Sequence, residues 1–228
     1  MSDITANVTR LLSELPDGVD LVAVAKTRSA AEVAEAIAAG VKIVGQNYLQ
    51  EALPVIAALN DRGGDKSPAT VNWHFIGHMQ SNKIGQVISN FQMIETLDSA
   101  SHARRLQRLL TEADTVMPVL LEINSGREEA KQGLLPENIP QFLKEIAELD
   151  RVQVRGLMTM GPWGVGPENL RQAFRDTNRL SNELDRAALP GVEMKTLSMG
   201  MSASWRLAVE EGANMVRIGA DLFGPRRV

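Results

Sequence analysis

Short apolar, β-branched runs alternate with longer stretches of helical periodicity along the whole chain. The runs Leu21–Ala25, Lys42–Val44, Asn72–Ile76, Met93–Thr96, Val116–Ile123, Val154–Met158, Met194–Leu197 and Met215–Ile218 predict strands. Between them Ala30–Ala39, Leu49–Leu59, Asn82–Ser89, Ala100–Ala113, Pro136–Leu149, Pro167–Ala188 and Ser202–Glu211 predict helices. The spaced apolar residues of Met1–Leu15 add an amphipathic helix that Pro16-Asp17-Gly18 would stop. Ser29 followed by Glu32 forms a capping-box signature, and Gly40 and Gly212 stand where helices end on glycine.

Strand–helix alternation calls for parallel strands joined by crossover helices. About eight units of roughly 28 residues use up the 228 positions, which suits a single (β/α)₈ barrel over residues 1–228, near the small end of that fold. An open doubly wound sheet is the competing architecture. It would usually carry a glycine fingerprint after its first strand, where this chain has Lys26-Thr27-Arg28-Ser29. The stretches Asp61–Thr70 and Gly161–Pro167, rich in glycine and proline, read as surface loops.

Composition narrows the function classes. Hydrophobic residues make up 44% and charged ones 23%, as expected for an ordinary globular core. A net charge of −4 argues against a nucleic-acid footprint. No apolar stretch reaches membrane-spanning length, and the N-terminal helix lacks the apolar region of a secretion signal. With no cysteine there is neither a disulfide framework nor a thiolate metal site, and a cytoplasmic address is the default expectation.

In a barrel the active face lies at the C-terminal strand ends. The residues just beyond each run are therefore the candidates. Lys26 comes first: an amine held partly away from water is more often neutral, and a neutral amine attacks an aldehyde. A lysine merely reaching out to solvent would show the same local sequence. Ser198-Met199-Gly200-Met201-Ser202 and Gly219 follow the seventh and eighth strands, where barrels build phosphate pockets. Ser202 also reads as a plain helix cap. Arg217 ends the eighth strand, as a ligand contact or as the partner of a barrel carboxylate. Glu122 is expected to pair with a barrel cation, His74 to be a satisfied strand residue, His78 a loop residue within reach of a ligand, and His102 a surface residue. No histidine spacing suits a metal.

At these residues the chain resembles the pyridoxal phosphate homeostasis proteins, also called alanine-racemase N-terminal-domain-like proteins. The resemblance rests on Val22–Thr27, Gly45–Glu51, Trp73–Gly77 with Gln80–Lys83, Ile123-Asn124, Lys131-Gln132-Gly133, Arg155–Met158, Ser198–Ser202, and Met215–Gly219 with Phe223-Gly224 and Arg226. It implies the alanine racemase barrel fold and pyridoxal 5'-phosphate held as a Schiff base on Lys26. It also implies that Ser202 and Gly219 bind the phosphate, that Arg217 faces the pyridine nitrogen, and that Asn47, Ser198 and Met199 line the ring pocket. Two positions depart from the family's usual pattern: Gln46 stands for a glutamate, and Ser204 for an acidic residue. Lys83 and Lys131 are secondary cofactor sites or plain surface lysines.

The resembled family buffers or hands over the cofactor, without robust turnover. An arginine at the ring nitrogen cannot accept a proton and weakens the ring as an electron sink. Racemases on this barrel add a second domain that helps build the site, and Tyr48 is the only tyrosine here. The expectation is a non-catalytic, monomeric carrier that serves pyridoxal-phosphate-dependent apo-enzymes, with no nucleic acid or membrane partner. A racemase using the same lysine, and a barrel for another phosphorylated ligand without a Schiff base, are the alternatives.

Overall fold

Residues 3–60 and 71–225 are described by a computed structural model. The expected loop at 61–70 and the motif residue Arg226 lie outside the described residues. The elements follow the predicted alternation: α1 (Ile4–Glu14), β1 (Asp20–Val24), α2 (Ala30–Ala38), β2 (Ile43–Gln46), α3 (Leu49–Asn60), β3 (Asn72–Phe75), α4 (Ile84–Asn90), β4 (Met93–Leu97), α5 (Ala100–Glu112), β5 (Met117–Glu122) and α6 (Ile139–Ile146). Then come β6 (Val152–Thr159), α7 (Pro167–Arg186), β7 (Val192–Met199), α8 (Trp205–Glu210), β8 (Met215–Ile218) and α9 (Ala220–Phe223).

The strands pair in chain order and close into a barrel, with β1 parallel to both β2 and β8. Closure leaves no free sheet edge. Side chains alternate across the strand wall. Leu21, Ala23, Val44, Trp73, Phe75, Val216 and Ile218 face outward into one large core with the helices. Val22, Ile43 and Met215 form a separate cluster in the interior. The inward set thus includes Arg217, whose Cα partner on β1 is Val22. At Gly156 the neighbouring strand comes so close that a Cβ would lie 1.8 Å from the Thr196 carbonyl oxygen. Only glycine fits there.

Local chemistry explains the helix starts. Ser29 and Glu32 make the reciprocal capping box, with Ser29 N to Glu32 Oε2 at 2.9 Å and Glu32 N to Ser29 Oγ at 3.3 Å. Asp3 caps α1 through Ala6 N at 2.9 Å. Asn7 Nδ2 of α1 donates to the Leu222 carbonyl of α9 at 3.0 Å, which ties the first helix to the last.

Strand ends shift by a residue or two, as where β7 spans Val192–Met199 instead of Met194–Leu197, and three helix starts differ in kind. The predicted helix over 136–149 starts with a 3-10 turn, Pro136–Asn138, and becomes α6 only at Ile139. Likewise Ser81–Lys83 is a 3-10 turn ahead of α4. The helix predicted from Ser202 begins at Trp205, because 202–204 form a turn in which Ser204 Oγ accepts from Met201 N at 3.1 Å. Ser202 is therefore not a helix cap.

Candidate functional site

A cavity of about 390 Å³ opens at the C-terminal end of the barrel between β1, the β6–α7 loop and the segment after β8. Lys26, Arg217, Ser202 and Gly219 all line it, so four of the seven candidate residues share one space. Met201, from the predicted Ser198–Ser202 segment, completes much of the wall together with Arg28, Ala203, Ala220 and Trp163, which the sequence did not single out as site residues.

Ser202 Oγ accepts from Asp221 N at 3.3 Å, and no described residue accepts its proton, so the hydroxyl still has a hydrogen bond to give. Gly219 has an ordinary φ of −116°, and a Cβ there would meet nothing nearer than 3.4 Å, from Val24. Neither backbone nor packing demands glycine at 219. The room it leaves belongs to the cavity.

Arg217 is 5% exposed and fixed by three bonds. Its Nη1 donates to the Ser198 carbonyl at 2.9 Å and to Ser198 Oγ at 2.6 Å, and its Nη2 donates to the Thr159 carbonyl at 2.9 Å. Ser198 Oγ in turn donates to Glu95 Oε2 at 2.7 Å. Glu95 Oε1 lies 2.7 Å from His74 Nδ1. Burial pushes the Glu95 carboxyl up, yet His74, Arg217 and Ser198 together hold it below the usual carboxylate value. An ionised Glu95 only accepts, so His74 Nδ1 carries the proton of that bond. The Arg217 guanidinium is itself lowered, chiefly by burial, against the opposing pull of Glu95 and Glu122. Arg217 thus does answer to a barrel carboxylate, Glu95, at 4.0 Å and through Ser198.

Glu122 departs from expectation. Its carboxylate makes no hydrogen bond or ion pair among the described residues, and the carboxyl is pushed up to about 7, first by burial and then by Asp98, with Arg217 pulling the other way.

The other candidates sit around this centre. Ser198 is fully buried behind Arg217, and the Met199 side chain packs into the outer core. Asn47 lines a neighbouring cavity of about 300 Å³ with His78 and Lys83. Its Nδ2 donates to the Ile76 carbonyl at 3.4 Å, and its Oδ1 has no partner among the described residues. Gln46 is fully buried and donates through Nε2 to the Ala25 carbonyl at 3.3 Å, a bond an ionised glutamate could not make. Lys131 is held by Glu128 at 2.6 Å and by the Gly161 carbonyl at 3.3 Å. His102, half-buried, meets Ser81 Oγ at 3.1 Å. A further cavity of about 380 Å³ lies between the segment after β5, the start of α6 and α7, and its cations Arg127 and Arg179 are paired with Glu137 and Asp176. No group of metal-ligating side chains occurs among the described residues.

A closed eight-stranded barrel with a lysine, a buried arginine and an open serine–glycine wall at its C-terminal mouth defines the class: the barrel of alanine racemase. A family model described as the alanine racemase N-terminal domain matches residues 1–227. A protein of Aquifex aeolicus named pyridoxal phosphate homeostasis protein is 38% identical over 207 residues, covering 91% of this chain and 87% of the relative. A relative of the same name from Synechocystis is 34% identical over 218 residues, 96% of each chain. Among solved structures, PipY of Synechococcus elongatus with pyridoxal phosphate (PLP) bound is 34% identical, with a TM-score of 0.88 over 97% of this chain and all of its own. An alanine racemase of Clostridium difficile shares the fold alone, at 20% identity and TM-score 0.76, and this chain spans 56% of it. The chain belongs to the pyridoxal phosphate homeostasis proteins, within the alanine racemase N-terminal-domain family.

Proposed function

We propose that this chain binds PLP and keeps its reactive aldehyde masked on Lys26, without sustained catalysis. The observation that carries this reading is the single cavity shared by Lys26, Arg217, Ser202 and Gly219. The Lys26 amine condenses with the aldehyde, forming a C=N bond and releasing water. The Ser202 hydroxyl and the space at Gly219 receive the phosphate, and Arg217 faces the pyridine nitrogen, with Ser198 holding it from behind. Asn47 and the Ser198–Met199 backbone border the ring. When bound, PLP supplies an electron sink, and a permanently charged arginine at the ring nitrogen weakens it.

The wall supports a carrier over a racemase. Among the described residues lining the cavity there is no carboxylate, histidine or tyrosine. Tyr48 borders the neighbouring cavity and is 57% exposed. A two-base exchange at Cα lacks its second base. The setting proposed is a monomer in the cytoplasm that releases the cofactor to apo-enzymes. No helix of the described residues is long and apolar enough to cross a membrane.

The test is a titration of the purified protein with PLP, followed by borohydride reduction and peptide mapping. Reduced cofactor on Lys26, and its loss in Lys26→Ala, is the expected result. An unchanged adduct in Lys26→Ala overturns the site. Sustained D-amino-acid production from L-alanine overturns the carrier reading.

A further inference from the structure

The segment that carries Lys26 is bent against its own preference. Arg28 N donates to the Ala25 carbonyl at 3.1 Å, closing a four-residue turn with Lys26 and Thr27 in the middle. Thr27, third in that turn, has a φ of 64°. A positive φ at this place is ordinarily glycine's or asparagine's, and a β-branched residue is strained there. Such strain persists only where the surroundings enforce it. Two contacts do so. The Thr27 amide donates to Glu51 Oε2 at 2.7 Å, and the Ala25 carbonyl takes a second hydrogen bond, from Gln46 Nε2 at 3.3 Å. Glu51 stands in the first turn of α3 and Gln46 at the end of β2, so both enforcing groups come from the neighbouring strand–helix unit.

We propose that Glu51 is a positioning residue for Lys26, with Gln46 assisting: its carboxylate locks Thr27 in the left-handed conformation and so aims the preceding lysine into the cavity. The charged acceptor makes this bond stronger than a neutral one. Glu51 is not among the residues lining the cavity, so its effect runs through the turn. Without it the threonine relaxes toward negative φ, the turn opens, and the amine no longer points where the cofactor's aldehyde would sit. This rests on the reading of Lys26 as the cofactor's anchor.

The test combines Glu51→Ala, Glu51→Gln and Glu51→Ala/Thr27→Gly with two measurements. The first, on protein without cofactor, is hydrogen exchange at the Thr27 amide. Glu51→Ala should speed it at least tenfold, while Glu51→Gln, which keeps an acceptor oxygen, should hold most of the protection. The second is PLP affinity, with the adduct trapped on Lys26. Glu51→Ala should weaken it about tenfold. Adding Thr27→Gly should restore much of it, because glycine adopts the positive φ without a clamp. Unchanged exchange in Glu51→Ala overturns the clamp. Changed exchange with unchanged affinity, or no rescue by Thr27→Gly, overturns the positioning role. If the parent protein traps no cofactor on Lys26, the proposed function falls and the exchange result still decides the clamp. Should Glu51→Ala fail to fold, Glu51→Ala/Thr27→Gly carries the test: folding with near-parent affinity supports the clamp, and failure to fold or to bind overturns it.

Discussion

Arg217 reaches both oxygens of Ser198 with one nitrogen, the carbonyl at 2.9 Å and the hydroxyl at 2.6 Å. The same hydroxyl donates to Glu95, so a cation and an anion from different strands are joined through one small side chain. Burying two charges is costly, and the cost is recovered only while both remain bonded.

Replacing Arg217 with methionine should therefore cost about 3–5 kcal/mol of stability, since Glu95 loses its counter-charge in the barrel interior. Arg217→Lys should recover part of this, because it restores charge without the forked geometry. Urea unfolding of the three proteins decides it. Equal stability of Arg217→Met and the parent would show that the charge pair contributes nothing.

Glu122 predicts a pH effect of definite sign. Its carboxyl, pushed up to about 7 when folded, binds its proton more tightly than in the unfolded chain. Between its ordinary value and about 7 the folded state holds more protons, so this group's contribution favours folding less as pH rises. Glu122→Gln should leave stability little changed near pH 4.5 and raise it by about 3 kcal/mol at pH 8, by the usual conversion of a shift into free energy. The difference between parent and variant separates Glu122 from Asp98 and Arg217, the charged groups that act on it. A difference independent of pH would show that Glu122 titrates normally.

Gly219 and Gly156 should behave oppositely. At Gly219 a Cβ fits, so Gly219→Ala should leave stability unchanged or raise it by up to about 1 kcal/mol. PLP affinity should nevertheless fall roughly tenfold or more, about 1.4 kcal/mol. Gly156→Ala drives a methyl into the Thr196 carbonyl and should cost several kcal/mol. Thermal melts and a cofactor titration separate the two. Full affinity in Gly219→Ala would mean that the open wall there is incidental.

Trp163 offers an optical reading. It lies at the cavity wall and is 80% exposed, whereas Trp73 and Trp205 are buried. Cofactor entering this space should quench its emission, and Trp163→Phe should remove most of the change at unaltered stability. Equal quenching in parent and variant would move the ligand elsewhere.

Much of this was legible in the sequence, for identifiable reasons. Period and punctuation mark the eight strands in order, and the strand ends point to Lys26, Arg217 and Gly219. Gln46 looked like a loss of charge; the structure shows an amide donating to the carbonyl just before Lys26. The buried line His74–Glu95–Ser198–Arg217 was hidden because its members sit on β3, β4, β7 and β8, and only closure brings them together. Glu122 was expected to be paired, since periodicity says that a side chain points inward and nothing of what it meets there. Trp163 and Arg28 stand in loops, where pattern carries no direction.

The seam between β1 and β8 sets an order of events. Lys26 follows the first strand of the ring, while its cavity neighbours Arg217 and Gly219 lie on and just after the eighth. Until β8 has paired with β1 this cavity is unbuilt, so cofactor loading as proposed would report that the ring has zipped shut.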